Sequence, residues 1–337
     1  MTSISLCMIV KNEEKILARC LDGIADLMDE IIIVDTGSTD RTKEIAAKYT
    51  DKIYDFKWVD DFSAARNFAF SKAGCDYIYS ADADEVIDEE NHEKFRMLKE
   101  AMLPEIEIVQ MYYTNQLEKN TTYNFDEELR PKLYKRVRSF QWQDQVHETV
   151  RIAPVIYDSD IRIKHCPEEL HSGRDFAIYK RLIESGAEIS PQMQRMYARE
   201  LFVSGTEEDF KDSYDFFRRH LDSDCDEELI KMDSCVLAKC ARLMNDPSIM
   251  LLSAARGLAV DEVPSEIVFE LGEFYRAQHN YSEAVIWYYN AAFETEALLS
   301  STYGSSFPII GLHICYVIMG DKENAARYGA MLREINS

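Results

Sequence analysis

No stretch of this sequence approaches the roughly 18 consecutive apolar residues that mark a membrane-spanning helix. Lys11-Asn12-Glu13-Glu14 directly follow a short apolar run at the amino end, which is not the pattern of a secretory leader. The reading is a cytoplasmic protein without a membrane span. Paired cysteines are also lacking. Eight are scattered along the chain with no Cys-x-x-Cys among them, which argues against a structural zinc site, and several fall in apolar runs where a reduced thiol behaves as a small hydrophobe. Positive charge is scarce: 38 Lys and Arg stand against 61 Asp and Glu, for a net charge of −23. That balance excludes nonspecific binding to nucleic acid or to an anionic membrane, both of which need basic patches. If such a protein binds an anionic ligand, it needs a local positive centre; a bound metal with Arg66 and Lys11 would provide one.

At 337 residues with 46% apolar content, the chain is long enough for two domains, each with its own core. Between residues 3 and 103, short apolar runs alternate with amphipathic segments. The pattern predicts strands over 3–10, 30–35, 52–56 and 76–81 and helices over 14–28, 40–49, 62–73 and 88–103, a βα alternation that implies a mainly parallel sheet. From 106 to 165 the pieces are strand-like, at 106–113, 132–135, 145–150 and 161–165. Beyond about 170 the strand signal ends and helix-period segments run to the end.

The apolar run Tyr77-Ile78-Tyr79-Ser80-Ala81 delivers Asp82-Ala83-Asp84 at its tip. Side chains two apart on a strand share a face, so the two carboxylates can hold one hard cation, Mg²⁺ or Mn²⁺, and leave positions open for the phosphates of a nucleotide. Alone, the same triplet equally caps a solvated loop. The β-branched run Ile31-Ile32-Ile33-Val34 ends in Asp35, and ligands of open α/β sheets bind outside the carboxyl ends of the strands. Asp35 therefore stands where a nucleotide's ribose or base would lie. Thr36-Gly37-Ser38-Thr39-Asp40-Arg41-Thr42 follows as a glycine turn with good N-cap residues.

Trp58-Val59-Asp60-Asp61-Phe62-Ser63-Ala64-Ala65-Arg66-Asn67 opens another helix, and Met8-Ile9-Val10-Lys11-Asn12-Glu13-Glu14 closes the first strand. Taken together, in this order and spacing, the four blocks resemble the inverting family 2 glycosyltransferases of the GT-A fold over roughly residues 1–165. The resemblance implies a GT-A domain over 1–168 and a helical domain over 169–337. It implies a UDP-sugar donor, held by Val10, Asn12, Glu14, Asp35, Ser38, Arg66, Asn67, Asp82 and Ala83. The metal would be Mn²⁺ or Mg²⁺ on Asp84, Asp82 and His165, with His171 as the substitute for the histidine. The string Val146-His147-Glu148 is similar to a short block found after the sheet in tetratricopeptide-bearing members. By that likeness Glu148 is the base that deprotonates the acceptor, and His147 supports it. Adjacent strand residues face opposite ways, so both enter one site only where a bulge or loop interrupts the predicted 145–150 strand.

In the helical half, Leu271-Gly272-x-x-Tyr275 followed by Ala284, Tyr288 and Ala291 matches tetratricopeptide spacing, with Val268 where that pattern prefers Trp. Leu312, Tyr316 and Ala325 repeat it 41 residues later, so 296–304 reads as an insertion; 193–220 and 232–260 read as degenerate units. Such helix pairs must stack to bury their faces. The surface they form would hold an extended peptide or a second copy of this chain. The acidic run between Glu207 and Asp233 reads as a solvated face. The layout resembles peptide S-glycosyltransferases of the sublancin type, which implies a peptide or protein acceptor reacting through Cys, Ser or Thr. Transferases that build lipopolysaccharide core or other surface glycans, and a non-catalytic tetratricopeptide-like scaffold, are the alternatives.

Overall fold

The computed structural model describes residues 2–115, 127–138, 142–146, 149–150, 154–167, 172–221, 226–259 and 262–335. The chain divides into two compact units, Met1–Ile178 and Tyr179–Ser337.

The first unit is built on strands β1 (Ile4–Val10), β2 (Glu30–Asp35), β3 (Ile53–Asp55), β4 (Tyr77–Ala81), β5 (Glu85–Val86), β6 (Ile108–Thr114), β7 (Glu128–Lys135), β8 (Trp142–Gln143), β9 (Thr149–Val150) and β10 (Ile156–His165). Eight of them form one mixed sheet in the order β3-β2-β1-β4-β7-β6-β10-β5. β1 to β4 are parallel where they pair, β7 runs antiparallel between β4 and β6, and β10 lies parallel to β6. The carboxyl ends of β1, β2, β4, β6 and β10 therefore share one edge. Alternation divides the core. Ile4, Leu6, Met8, Val10 and Ile33 pack on one face, and Cys7, Ile32 and Val34 on the other. Burial on both faces is why β2 reads as a continuous β-branched run.

Helices α1 (Leu17–Asp22), α2 (Thr42–Ala46), α3 (Phe62–Phe70) and α4 (Glu89–Ala101) connect the strands. Leu17, Leu21 and Phe95 cover the first face; Ala69 and Phe70 cover the second. Two helices are shorter than their sequence pattern predicts. The amides of Asn12, Glu13 and Glu14 are held by Ser38, Thr42 and Asp40 across the adjacent loop, so α1 starts only at Leu17; it closes at Gly23, after which Ala25–Leu27 form a 3₁₀ turn. α2 closes at Ala47, where the chain turns into β3. The predicted strand over 145–150 is corrected as well. Asp144, Gln145 and Val146 lie in a bend, Asp144 has a positive φ of 71°, and among the described residues of this segment only Thr149–Val150 pair, with β8. The amide of Phe62 donates to the Gln145 carbonyl at 3.0 Å, which takes that backbone out of a ladder and onto α3.

The second unit is helical, as the period change at about 170 implies. Helix α5 (Ser172–Ser185) runs across the division between the units. It is followed by α6 (Pro191–Ser204), α7 (Glu207–His220), α8 (Glu227–Met244), α9 (Pro247–Leu258), α10 (Ser265–Ala277), α11 (Tyr281–Phe293), α12 (Ser306–Met319) and α13 (Lys322–Ile335). Tyr288 is fully buried, and a Cβ on Gly272 or Gly311 would lie 2.7 or 2.6 Å from its ring. Both glycines are there to let helices approach that ring. The 296–304 insertion is docked: amides of Leu298, Leu299 and Ser300 donate to the buried Glu266 carboxylate, and Tyr303 is buried. Asp233 departs from the expected solvated acidic face, since it is fully buried and accepts from Gln194 Nε2 at 2.8 Å. Among the described residues no helix is long and apolar enough to cross a membrane.

Candidate functional site

The carboxyl edge of the sheet gathers most of the expected residues. The β1 and β2 loops are tied together. Thr36 donates its amide to the Val10 carbonyl at 2.9 Å, Asn12 donates its amide to Ser38 Oγ at 2.9 Å, and Asn12 Oδ1 accepts from the Thr39 amide at 2.8 Å. Glu14 accepts from the Arg41 amide at 3.1 Å. Asn12 holds φ at 58°, a left-handed conformation that asparagine tolerates better than most residues. Val10, Asn12, Glu14 and Ser38 thus build the rim through backbone and side-chain bonds to one another.

Asp35 sits inside that rim, 3% exposed. Its Oδ1 accepts from the amides of Gly37 and Ser38, each at 2.9 Å, whereas Oδ2 is buried with no hydrogen-bond partner. An unpaired buried acceptor costs about 1–3 kcal/mol, so the arrangement suits a donor brought by a ligand.

At the tip of β4, Asp82 Oδ1 accepts from Arg66 at 3.0 Å, and Arg66 also donates to Ser80 Oγ at 3.2 Å. Burial opposes ionisation of Asp82, but the Arg66 guanidinium and the charges of Lys132 and Arg130 outweigh it and bring the carboxyl down to about 2. Ala83 is buried. Asp84 Oδ2 meets His165 Nε2 at 3.0 Å. The atoms behind that contact, Asp84 Oδ1 and His165 Nδ1, are buried without partners. The antiparallel pairing of β5 with β10, which sets His165 opposite Glu85, brings this pair together across 81 positions of sequence. The Tyr113 ring lies 5.1 Å from the His165 ring.

A carboxylate and an imidazole with spare donor atoms suit Mn²⁺ or Mg²⁺ when phosphate oxygens supply the remaining ligands. Among the described residues no group of three or more His, Cys, Asp and Glu forms a self-sufficient cage. Asp82, expected beside the metal, has its Oδ1 engaged by Arg66.

Asn67 differs from expectation. Its Oδ1 accepts from the Trp142 amide at 2.7 Å and its Nδ2 donates to the Trp142 carbonyl at 2.9 Å, so its amide pairs with β8 like a third strand. The Arg66 guanidinium lies 5.1 Å from the Trp142 ring centre. Through α3, capped by Asp61 accepting from the Ala64 amide at 3.0 Å, the segment Trp142–Val146 is fastened to the donor side. The residues that follow it, His147 and Glu148, lie outside the described residues, as does His171.

Three residues of this edge carried no sequence signal. Glu85 is buried and ion-paired with Lys132 at 2.5 Å; burial, with Asp82 and Asp84 nearby, raises its carboxyl to about 7 against the pull of Lys132. Arg130 lies over the Tyr113 ring at 4.0 Å. Both cations come from β7, and only its position between β4 and β6 brings them behind the Asp82 carboxylate.

With this geometry in hand, similarity to known proteins can be weighed. Over 148 residues the chain is 31% identical to the SPbeta prophage-derived glycosyltransferase SunS of Bacillus subtilis, a match covering 43% of this chain and 34% of that protein. It is 51% identical over 85 residues to a TPR repeat-containing protein of Synechococcus elongatus, covering 25% of this chain and 21% of that protein. These matches thus span well under two thirds of either relative's length. Glucosyl-3-phosphoglycerate synthase of Mycobacterium tuberculosis, solved with Mn²⁺ and UDP-glucose, overlaps 56% of this chain and 81% of its own, at 15% identity and a TM-score of 0.40. Residues 5–178, just over half of the chain, match the family described as glycosyl transferase family 2. The chain belongs to that family.

Proposed function

We propose that this protein is a metal-dependent, inverting hexosyltransferase that moves a hexose from a UDP-sugar to a Cys, Ser or Thr side chain of a peptide or protein. The observation that carries the reading is three buried, unpartnered polar atoms along one sheet edge: Asp35 Oδ2, Asp84 Oδ1 and His165 Nδ1. Unsatisfied buried groups are costly, and a family 2 chain that keeps three of them where nucleotides bind in open sheets is matched to a polar ligand.

In this reading Asp35 Oδ2 accepts a hydrogen bond from the uridine, and the joined β1 and β2 loops exclude water from it. Asp84 and His165, with Asp82 beside them, would hold Mn²⁺ or Mg²⁺, which supplies neutralisation of charge on the departing diphosphate. Arg66 keeps Asp82 ionised and oriented. Glu148 takes the acceptor's proton as the nucleophile attacks the anomeric carbon from the face opposite the leaving diphosphate, and His147 supports it. Asn67 holds the backbone that leads into that pair. The acidic balance and the free thiols, five of them buried, suit a reducing compartment such as the cytoplasm.

The test is release of UDP from a panel of UDP-hexoses by the full chain, with Mn²⁺ and with excess chelator. Turnover is expected only with metal, and Asp84→Asn is expected to abolish it while the protein melts as the wild type does. Equal turnover in chelator, or by the variant, would overturn the metal assignment; no turnover of any UDP-sugar would overturn the donor.

A further inference from the structure

Three carboxylates fall within four residues at the tip of β4: Asp82, Asp84 and Glu85. Two of them are each held by a cation, Asp82 by Arg66 and Glu85 by Lys132. Asp84 faces His165 instead and keeps Oδ1 without a partner. The two cations thereby sort the carboxylates and leave one to receive a ligand.

The Glu85–Lys132 pair is a poor device for stability. Glu85 is 2% exposed and Lys132 5%, and Glu85 Oε2 is buried with no hydrogen-bond partner. Taking two charges out of water offsets most of their attraction, so apolar residues of similar size in their place are often as stable or more so. The unpaired acceptor adds a further cost. Stability therefore does not account for the pair.

Lys132 also reaches Glu85 only through an irregularity in β7. Leu133 packs on the first core face and Tyr134 on the second, so regular alternation would put Lys132 on the second as well. The pairing with β6 skips at this point. Val109 lies opposite Leu133 and Gln110 opposite Pro131, which leaves Lys132 as the extra residue of a bulge. A bulge re-aims a side chain. Lys132 Nζ accordingly lies 6.0 and 5.7 Å from the ring centres of Tyr79 and Tyr113, both of the first face. The ladder between β4 and β7 ends where Tyr79 meets Leu133, so Lys132 stands one position beyond it, level with the tip of β4.

The element that the pair secures is short. β5 has two residues, and its pairing with β10 sets Glu85 opposite His165 and Val86 opposite Lys164. The Glu85 amide donates to the Asp82 carbonyl at 3.2 Å, and the Cys166 amide donates to the Asp84 carbonyl at 2.8 Å. Those backbone bonds tie the segment to the end of β4 and to β10. The Glu85 side chain adds a third anchor, on β7 in the interior of the sheet.

We propose that Lys132 is a positioning residue for the metal site: by holding Glu85 it fixes the turn from Asp82 to Glu85 so that Asp84 is the carboxylate presented, with His165, to the divalent cation. This role rests on the assignment of Mn²⁺ or Mg²⁺ to Asp84 and His165.

The test is calorimetric titration of the full chain with UDP, in saturating Mn²⁺ and in excess chelator. The first condition reports the metal site, and the second reports the nucleotide pocket around Asp35. Lys132→Met alone leaves the Glu85 carboxylate buried without its cation and is expected to melt below wild type. Lys132→Met combined with Glu85→Leu removes both charges and is expected to melt as wild type does or higher. That double variant should bind UDP normally in chelator but roughly 10- to 100-fold more weakly in Mn²⁺, the usual effect of removing a partner behind a metal ligand. Undiminished UDP affinity in Mn²⁺ overturns the proposal, because the pair is then mere packing. An equal loss of affinity in chelator overturns it too, because the pair then supports the fold at large. A wild type whose UDP affinity is indifferent to Mn²⁺ overturns the metal assignment itself and this role with it.

Discussion

Asp35→Asn offers a sharp test of the donor site because one side chain performs two separable tasks. Oδ1 accepts from the amides of Gly37 and Ser38, and the asparagine carbonyl can continue to accept both, so the loop keeps its shape. Oδ2 becomes an NH₂ group. If a donor group of the uridine faces it, the exchange removes a hydrogen bond to a charged acceptor, worth about 1.5–3 kcal/mol. At about 1.4 kcal/mol per tenfold, the dissociation constant for UDP should rise roughly 10- to 150-fold. Calorimetric titration with and without Mn²⁺ reads this directly, and the rise should appear in both, because the metal is assigned to Asp84 and His165. Thermal stability offers a second reading. UDP at about 100 times the wild-type dissociation constant stabilises wild type by roughly 2.7 kcal/mol, which drops to about 0.4 kcal/mol if affinity falls 100-fold. An unchanged UDP titration in a variant that melts normally without ligand refutes the assignment, since the orphaned oxygen would then face no ligand donor.

Three further outcomes follow from other parts of the molecule. Glu148→Gln should slow transfer to a hydroxyl acceptor by about 10²–10⁴-fold while UDP binding persists, and less for a thiol, which ionises more readily; near-normal hydroxyl transfer moves the base elsewhere. Burial raises the Asp233 carboxyl from 3.8 to about 7, partly opposed by its bonds from Gln194. The folded state therefore holds a proton that the unfolded chain releases, and stability declines as pH rises from about 4 through 7. Between pH 5 and 8 the loss should be on the order of 2–3 kcal/mol, and Asp233→Asn should flatten it in urea melts; parallel pH profiles for the two proteins count against it. Gly311→Ala would put a Cβ 2.6 Å from the buried Tyr288 ring, whose hydroxyl is held by Glu273 and Arg276. Crowding there should cost about 1–3 kcal/mol and outweigh the gain of up to about 1 kcal/mol that alanine brings to a helix. A higher melting temperature would contradict the packing.

What the sequence determined alone is what local patterning encodes. The β-branched run of β2 announced a strand buried on both faces and ended it at Asp35, because such a strand has no polar alternation to mistake for anything else. The spacing of Asp82 and Asp84 announced two carboxylates at a strand tip, and the change of period near residue 170 announced the helical unit. The tetratricopeptide spacing likewise carried the reason for Gly272, which the Tyr288 ring makes plain. Segments whose conformation depends on a distant partner were misread. Gln145 and Val146 have strand-like neighbours, but the amide of Phe62 captures the Gln145 carbonyl and bends the chain. Asn67 looked like a ligand contact and spends its amide on the backbone of Trp142. Asp233, in an acidic run, is buried because Gln194 on another helix supplies its donor. Tertiary structure alone decided that Lys132 and Arg130 stand behind Asp82 and that Glu85 is buried against Lys132, whereas the meeting of His165 with Asp84 was expected from the family resemblance and is achieved by the pairing of β5 with β10. Periodicity records which face of its own element a side chain occupies. Strand order and register set what lies opposite that face, and they are settled by contacts among residues far apart in the chain.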